Sequence, residues 1–463
     1  MIPAADEPVL KREMTSVGGL LITLAGLSPG IGVFIVGSDV LHQVGSGVIL
    51  CFTAAIVLGI AMASVYAELG SAFPHTGGEY TIAGRVLGVP AGFAMLAINL
   101  GGLCFALPLS GLGMADYLRV IVPGLPVVPT ALAAVAVVTL IAVLSVRLNA
   151  VFTGTLLAAE IAALAVTALL GLLHAHGDLA RNLLHPMMAD GTGGVRAVPA
   201  AALGVAAASG IYAFNGYGSV VLFGEELRDA RRSVAAVVYW SLAIAAVAEM
   251  LPLLGIVVGS PDLARLAASA TPVPDFIRAS GGPTIARLIS LCVAAAIFNA
   301  MIAVALAGGR QLYASARDGS WPAAINRRLA RVHPTFHSPH VATLTVGAGA
   351  LACCFVPLNV LVVILANGNV ATYATLCVAV MIGRRNNSTA QTHARMKLFP
   401  LPPLLALLAL AGVLWADMLD PAAGLPGLLV TVAMLCAGVG YYLLVVRRRN
   451  IWRHYAPAEE PRR

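Results

Sequence analysis

Residues 23–38, TLAGLSPGIGVFIVGS, set a contradiction inside one apolar run. The run reaches from about Thr15 to Asp39, long enough to cross a bilayer as a helix. Its centre, Ser28-Pro29-Gly30-Ile31-Gly32, is a poor sequence for an unbroken helix. Pro29 has no amide hydrogen and clashes with the preceding turn, and each Gly weakens a helix. At mid-membrane no water satisfies freed backbone groups, so irregular backbone survives only inside protein or beside a cavity. The segment therefore reads as a helix broken beside a binding site, or else as a kinked but continuous helix, because Gly and Pro are common in membrane spans.

The rest of the chain is membrane protein. Of 463 residues, 59% are apolar and only 11% charged, with mean hydropathy +0.90, against about 25% charged in a soluble domain. About twelve apolar segments of spanning length can be drawn, leaving no room for a separate soluble domain. With the N-terminus in the cytoplasm, 22 of the 28 Lys and Arg fall on the inside. That predicts an even number of spans in the cell (inner) membrane, with both termini cytoplasmic. Residues 1–14 read as a polar tail without a cleavable signal peptide. The net charge of +7 reports basic cytoplasmic loops, not nucleic-acid binding, since no basic stripe carries interleaved aromatics. The seven cysteines lie in apolar spans without metal spacing. The outer loop near 175–199, with His174, His176 and His185, reads as solvated.

A second oddity lies five spans later, where the sixth span reads Phe214-Asn215-Gly216-Tyr217-Gly218 at its centre. Interrupted segments in matching places of two halves point to a transporter site. Because five spans is an odd number, the second half would be inverted relative to the first. Freed amides from Gly30 to Val33 would form a partial positive helix start that suits a carboxylate. Carbonyls ending the inner arms, near Gly26 to Ser28 and Tyr212 to Phe214, would suit an ammonium. A small zwitterion fits between them.

At these residues the chain resembles the amino acid–polyamine–organocation (APC) superfamily. Gly30-Ile31-Gly32-Val33-Phe34 matches its span-one break. Ala213-Phe214-Asn215-Gly216-Tyr217-Gly218 followed by Glu225-Glu226 matches span six, and Pro74-His75-Thr76-Gly77-Gly78-Glu79-Tyr80 matches the loop after span two. The resemblance covers roughly residues 14–385. It implies an all-α integral membrane fold of twelve helices with a LeuT-type 5+5 inverted repeat and broken helices one and six. The transporter core would be 15–383, with repeats at about 15–174 and 200–383, and 384–463 would hold the last two helices and a basic tail. It also implies alternating access around a site between spans one, three, six, eight and ten. Two departures stand out. Gly218 replaces an acidic residue common in the span-six motif, which disfavours a strongly cationic substrate. Asp229-Ala230 replaces the Asn-Pro that often follows the Glu pair.

The expected substrate-binding residues are Leu27, Ser28, Gly30, Ile31, Gly32, Asn99, Tyr212, Ala213, Phe214, Gly216, Tyr217 and Asn299. Glu160, about twelve residues into span five, is either a proton carrier or a structural hydrogen-bonding group. Glu249 reads as structural or as facing an outer vestibule, and Glu68, Asp39 and Asp116 read as solvated or capping. The expected function is an amino acid permease, symporter or antiporter, for a small neutral or zwitterionic substrate. A proton is the coupling ion, with sodium as the alternative, and no cofactor is called for. The rival within transport is an amine, ethanolamine or polyamine carrier. A membrane-embedded enzyme is the distant rival and lacks a Ser-His-Asp set, while a channel would need a continuous polar lining.

Overall fold

Thr15 opens the first helix: its hydroxyl accepts the Gly18 amide at 3.1 Å, and Ser16–Leu27 follows as an α-helix. The helix stops at Ser28, a non-glycine residue at φ 50° and ψ 82°. Pro29 then takes the first position of a new arm, where its missing amide matters least. That arm runs on through the π-helix Gly32–Gly37 and the α-helix Ser38–Val44. The interruption is thus one left-handed residue, with Ser28 N still donating to Leu24 O at 2.8 Å and Gly32 N to Ser28 O at 3.2 Å.

A computed structural model describes residues 12–449 apart from 120, 123, 145, 177–178, 191–193, 270, 357 and 420–423. Most of the expected N-terminal tail and the end of the basic tail lie outside these. Among the described residues, nine helical segments are long and apolar enough to cross a membrane. Two shorter apolar helices, Val127–Ala142 and His340–Cys353, lie between them. One of the nine, Ser16–Ala72, turns at Gly45 (φ 56°), which separates the span-one arms from the helix Val48–Ala72. The helix Ala230–Gly259 has 30 residues, roughly 45 Å, enough to cross the hydrocarbon with turns to spare. The sixth span starts as Ala200–Ala213, breaks over Phe214 to Gly216 (φ 123°), and resumes as the 3-10 helix Tyr217–Phe223. Spans five (Val146–Leu173) and seven (Ala230–Gly259) approach backbone to backbone at Gly171, Gly255 and Gly259, where a Cβ would find no room.

The loop expected to be solvated near 175–199 contains an antiparallel hairpin, β1 (Met187–Ala189) paired with β2 (Val195–Ala197). Met187 N donates to Ser46 Oγ at 2.9 Å, so the hairpin sits on the turn between the first two spans. At the opposite end of the bundle three ion pairs lie in the interior. Arg384 grips Glu68 (Nη2–Oε2 2.6 Å), Arg317 grips Glu225 (Nη1–Oε2 2.5 Å), and Arg310 grips Glu226. Glu68 is fully buried, not solvated, because Arg384 and the Met396 amide satisfy its oxygens. Burial pushes the Glu225 carboxyl up, but the bonds from Arg317 outweigh it and hold the group below the usual carboxylate range. Beside this network Met14 is stitched to the chain after span six: Met14 N donates to Glu226 O at 3.0 Å and Arg228 N to Met14 O at 3.1 Å.

Candidate functional site

The two interruptions meet. A Cβ on Gly216 would lie 2.8 Å from Leu27 Cα and 3.0 Å from Leu27 N, so glycine lets the span-six break rest on the last turn before Ser28. Next to this contact is a cavity of about 200 Å³. Span one contributes Ile22 and Gly26; span six contributes Tyr212, Asn215, Gly216, Gly218, Ser219, Leu222 and Phe223. Span eight (Pro272–Arg317) adds Ala303, Ala307 and Gln311, span three (Val89–Arg119) adds Ile98 and Asn99, and span ten (Leu358–Arg385) adds Thr372 and Tyr373. The lining of spans one and eight lies on the Ser16 side of the break and toward Arg317, so the cavity sits in the half of the bundle that holds the ion pairs. The other half is crossed by hydrogen bonds between its elements. Tyr117 Oη donates to Phe34 O at 2.8 Å, Val273 N to Ser38 Oγ at 3.3 Å, and the His42 ring bonds to Ala267 O at 3.0 Å.

Of the expected binding residues, Asn99, Tyr212 and Gly216 line this cavity, whereas Leu27, Ser28, Gly30, Ile31, Gly32, Ala213, Phe214, Tyr217 and Asn299 do not. Phe214 instead stacks edge-on against Phe52, with centroids 5.8 Å apart, and Tyr217 against Tyr66 at 6.0 Å. Asn299 donates to Thr153 O at 3.1 Å and ties span eight to span five. Two of the amides expected to be free, those of Gly30 and Gly32, are bonded within the protein. Gly30 N donates to Glu160 Oε1 at 2.6 Å and Ser28 Oγ to the same oxygen at 2.8 Å. The physical reason is the one that predicted a substrate carboxylate: a helix start favours an anion, and span five supplies one from within the protein.

Glu160 is buried, and its Oε2 has no hydrogen-bond partner. Glu249 of span seven is buried against Gly32, where a Cβ would collide with its carboxyl group, and neither of its oxygens is bonded. Among the described residues no Lys, Arg or His forms an ion pair with either group. Two carboxyl groups thus bracket the short arm that starts at Pro29.

The cavity wall holds what sequence reasoning missed. Glu79, in the short helix Glu79–Val86, lines it. Its Oε1 accepts Tyr66 Oη at 3.2 Å and its Oε2 accepts Asn99 Nδ2 at 3.4 Å. Asn99 is in turn held by Thr372 Oγ1 at 3.2 Å. Among the described residues, the lining contains no Lys, Arg or His. Gly218 removes one carboxylate from the site, but a Cβ there would run into the Tyr66 ring, and that ring points its hydroxyl at Glu79. The only signal in the sequence was an acidic residue inside the Pro74–Tyr80 motif.

Broken helices meeting beside a cavity inside a helical membrane bundle fit a permease of the APC superfamily. The sequence matches the amino acid permease family over residues 16–438, and the chain belongs to that family. It is 24% identical to the branched-chain amino acid permease BcaP of Bacillus subtilis over 432 residues, covering 87% of this chain and 88% of that one. It is 24% identical to the methylthioribose transporter of Bacillus subtilis over 455 residues, 93% of each chain. To the low-affinity putrescine importer PlaP of Escherichia coli it is 21% identical over 429 residues, 90% of each. The protein is therefore an integral membrane transporter of a small molecule and not an enzyme.

Proposed function

We propose that this permease moves a small neutral or zwitterionic amino acid across the cell (inner) membrane by alternating access, coupled to a proton or by exchange. The observation that carries the reading is the contact of Gly216 with Leu27 beside the cavity, where two interrupted helices border one space. In this reading the chain has twelve spans with both termini cytoplasmic, and residues 15–174 and 200–383 are inverted repeats. The cavity then faces the cytoplasm. Glu160 is the proton carrier: a carboxyl group without a cationic partner, bonded to both sides of the span-one break, can change that junction when it gains or loses a proton. The putrescine importer among its relatives and the Glu79 carboxylate in a cavity with no Lys, Arg or His among its described lining favour the second reading, an amine or polyamine carrier.

Uptake by purified protein in proteoliposomes separates the two. Labelled leucine and other neutral amino acids should accumulate when a proton gradient is imposed or the lumen is preloaded with amino acid. Uptake of putrescine or ethanolamine, with none of any amino acid, would replace the first reading by the second.

A further inference from the structure

The inner end of the cavity has features that hydrogen bonding within the protein leaves unexplained. Glu79 is 8% exposed, and among the described residues no cation forms an ion pair with it. Arg85, on the same short helix, interacts with Asp318 and Glu225 instead. Gln311 of span eight is fully buried and lines the same cavity, yet neither its Oε1 nor its Nε2 has a hydrogen-bond partner. A buried amide with both atoms unbonded is rare unless a ligand or water completes it. Tyr66, Tyr212 and Tyr373 add aromatic rings to the lining, and such faces attract cations.

We propose that Glu79 is the counter-ion for an alkylammonium group of the transported molecule, with the Gln311 amide oxygen as a second acceptor. The inference rests on the transport reading for the cavity but not on which molecule is carried. The ammonium is either the α-amino group of a zwitterion or one end of a diamine. Burial pushes the Glu79 carboxyl up, and an ammonium seated against it removes part of that penalty. Tyr66 and Asn99 already occupy one position on each carboxylate oxygen, which fixes the group's orientation and leaves its remaining lone pairs for the ligand. The Gly30 amide, held by Glu160, is not open to a substrate carboxylate in this state, so the ammonium end is the charged end for which a free partner is in place.

The test is isothermal titration of the purified full-length protein with four probes: leucine, 3-methylbutylamine (leucine without its carboxylate), 4-methylpentanoate (leucine without its amine) and putrescine. At least one of the three amine-bearing probes should bind, and 4-methylpentanoate should bind at least about 30-fold more weakly than the best of them. Glu79→Gln should weaken the best amine by a similar factor, and Glu79→Asp, which keeps the charge, should restore part of it. Gln311→Leu should weaken the same ligand by less. Binding of 4-methylpentanoate as tight as the best amine, or no binding of any amine-bearing probe, overturns the proposal on the wild-type protein alone. So does a folded Glu79→Gln variant with unchanged amine affinity. Putrescine binding that depends on Glu79, with no leucine binding, would sink the amino acid reading and keep this one. Leucine uptake with no dependence on Glu79 would do the reverse.

Discussion

Glu160 Oε1 accepts the Gly30 amide at 2.6 Å and the Ser28 hydroxyl at 2.8 Å, so one side chain of span five holds both sides of the turn in span one. Its other carboxyl oxygen, Oε2, is buried without a hydrogen-bond partner. A movement of span one relative to span five must stretch or break the two bonds to Oε1.

Glu160→Gln should keep the fold, because the amide oxygen can accept the same two bonds, with stability within about 1 kcal/mol of wild type. The pH dependence of uptake should flatten. Proteoliposome uptake measured from acid to alkaline pH checks this, and an unchanged profile would make Glu160 a structural bridge.

Gly30→Ala places a Cβ 2.9 Å from Glu160 Oε1 and 3.1 Å from its Cγ. The carboxylate must move off the break, with a stability loss of about 1–3 kcal/mol from overpacking. Gly30→Leu should abolish uptake while circular dichroism still reads a helical protein. Normal uptake by the leucine variant would rule out any working role for this junction.

Gly216→Ala combines a backbone at φ 123° with a Cβ driven against the Leu27 backbone. Strain alone contributes about 1–3 kcal/mol. The expected result is a lower thermal midpoint and weaker ligand binding together, read by a thermal shift with and without the transported molecule. A midpoint equal to wild type would show that the two breaks do not touch.

Glu225→Gln leaves Arg317 without its carboxylate, a loss of about 3 kcal/mol for a mostly buried pair. The sign of its pH dependence follows from the lowered Glu225 pKa. The pair's contribution is complete above the ordinary carboxylate value of about 4 and disappears as pH falls through the lower folded value. The gap in stability between wild type and variant should therefore persist at neutral pH and close only in strong acid. A gap already closed at pH 5 would contradict the pairing.

The membrane character and both weak points were legible in the sequence, because Pro29, Gly216 and the lack of charge act through local physics. Ser28-Pro29 announced the turn, but not that a single left-handed residue would make it. Partners far away in the chain were not legible. Nothing local tells that Glu160, 130 residues beyond Gly30, takes the amide first assigned to a ligand. Glu68 lay at a span end with no nearby sign of Arg384. Glu79 was hidden for a related reason: it belongs to a connecting helix, and only the tertiary arrangement turns it toward the cavity. The hairpin at 187–197 is held by Ser46 and by its own short pairing, too brief for a period-two signal.

The stitch that fixes Met14 between Glu226 and Arg228 works as a yoke. It joins the start of one interrupted helix to the end of the other, outside the point where their middles touch at Leu27 and Gly216. Two struts fastened at one end and at their middles cannot swing independently. The pair must tilt as one lever, and a cut in either backbone bond at Met14 would uncouple its two halves.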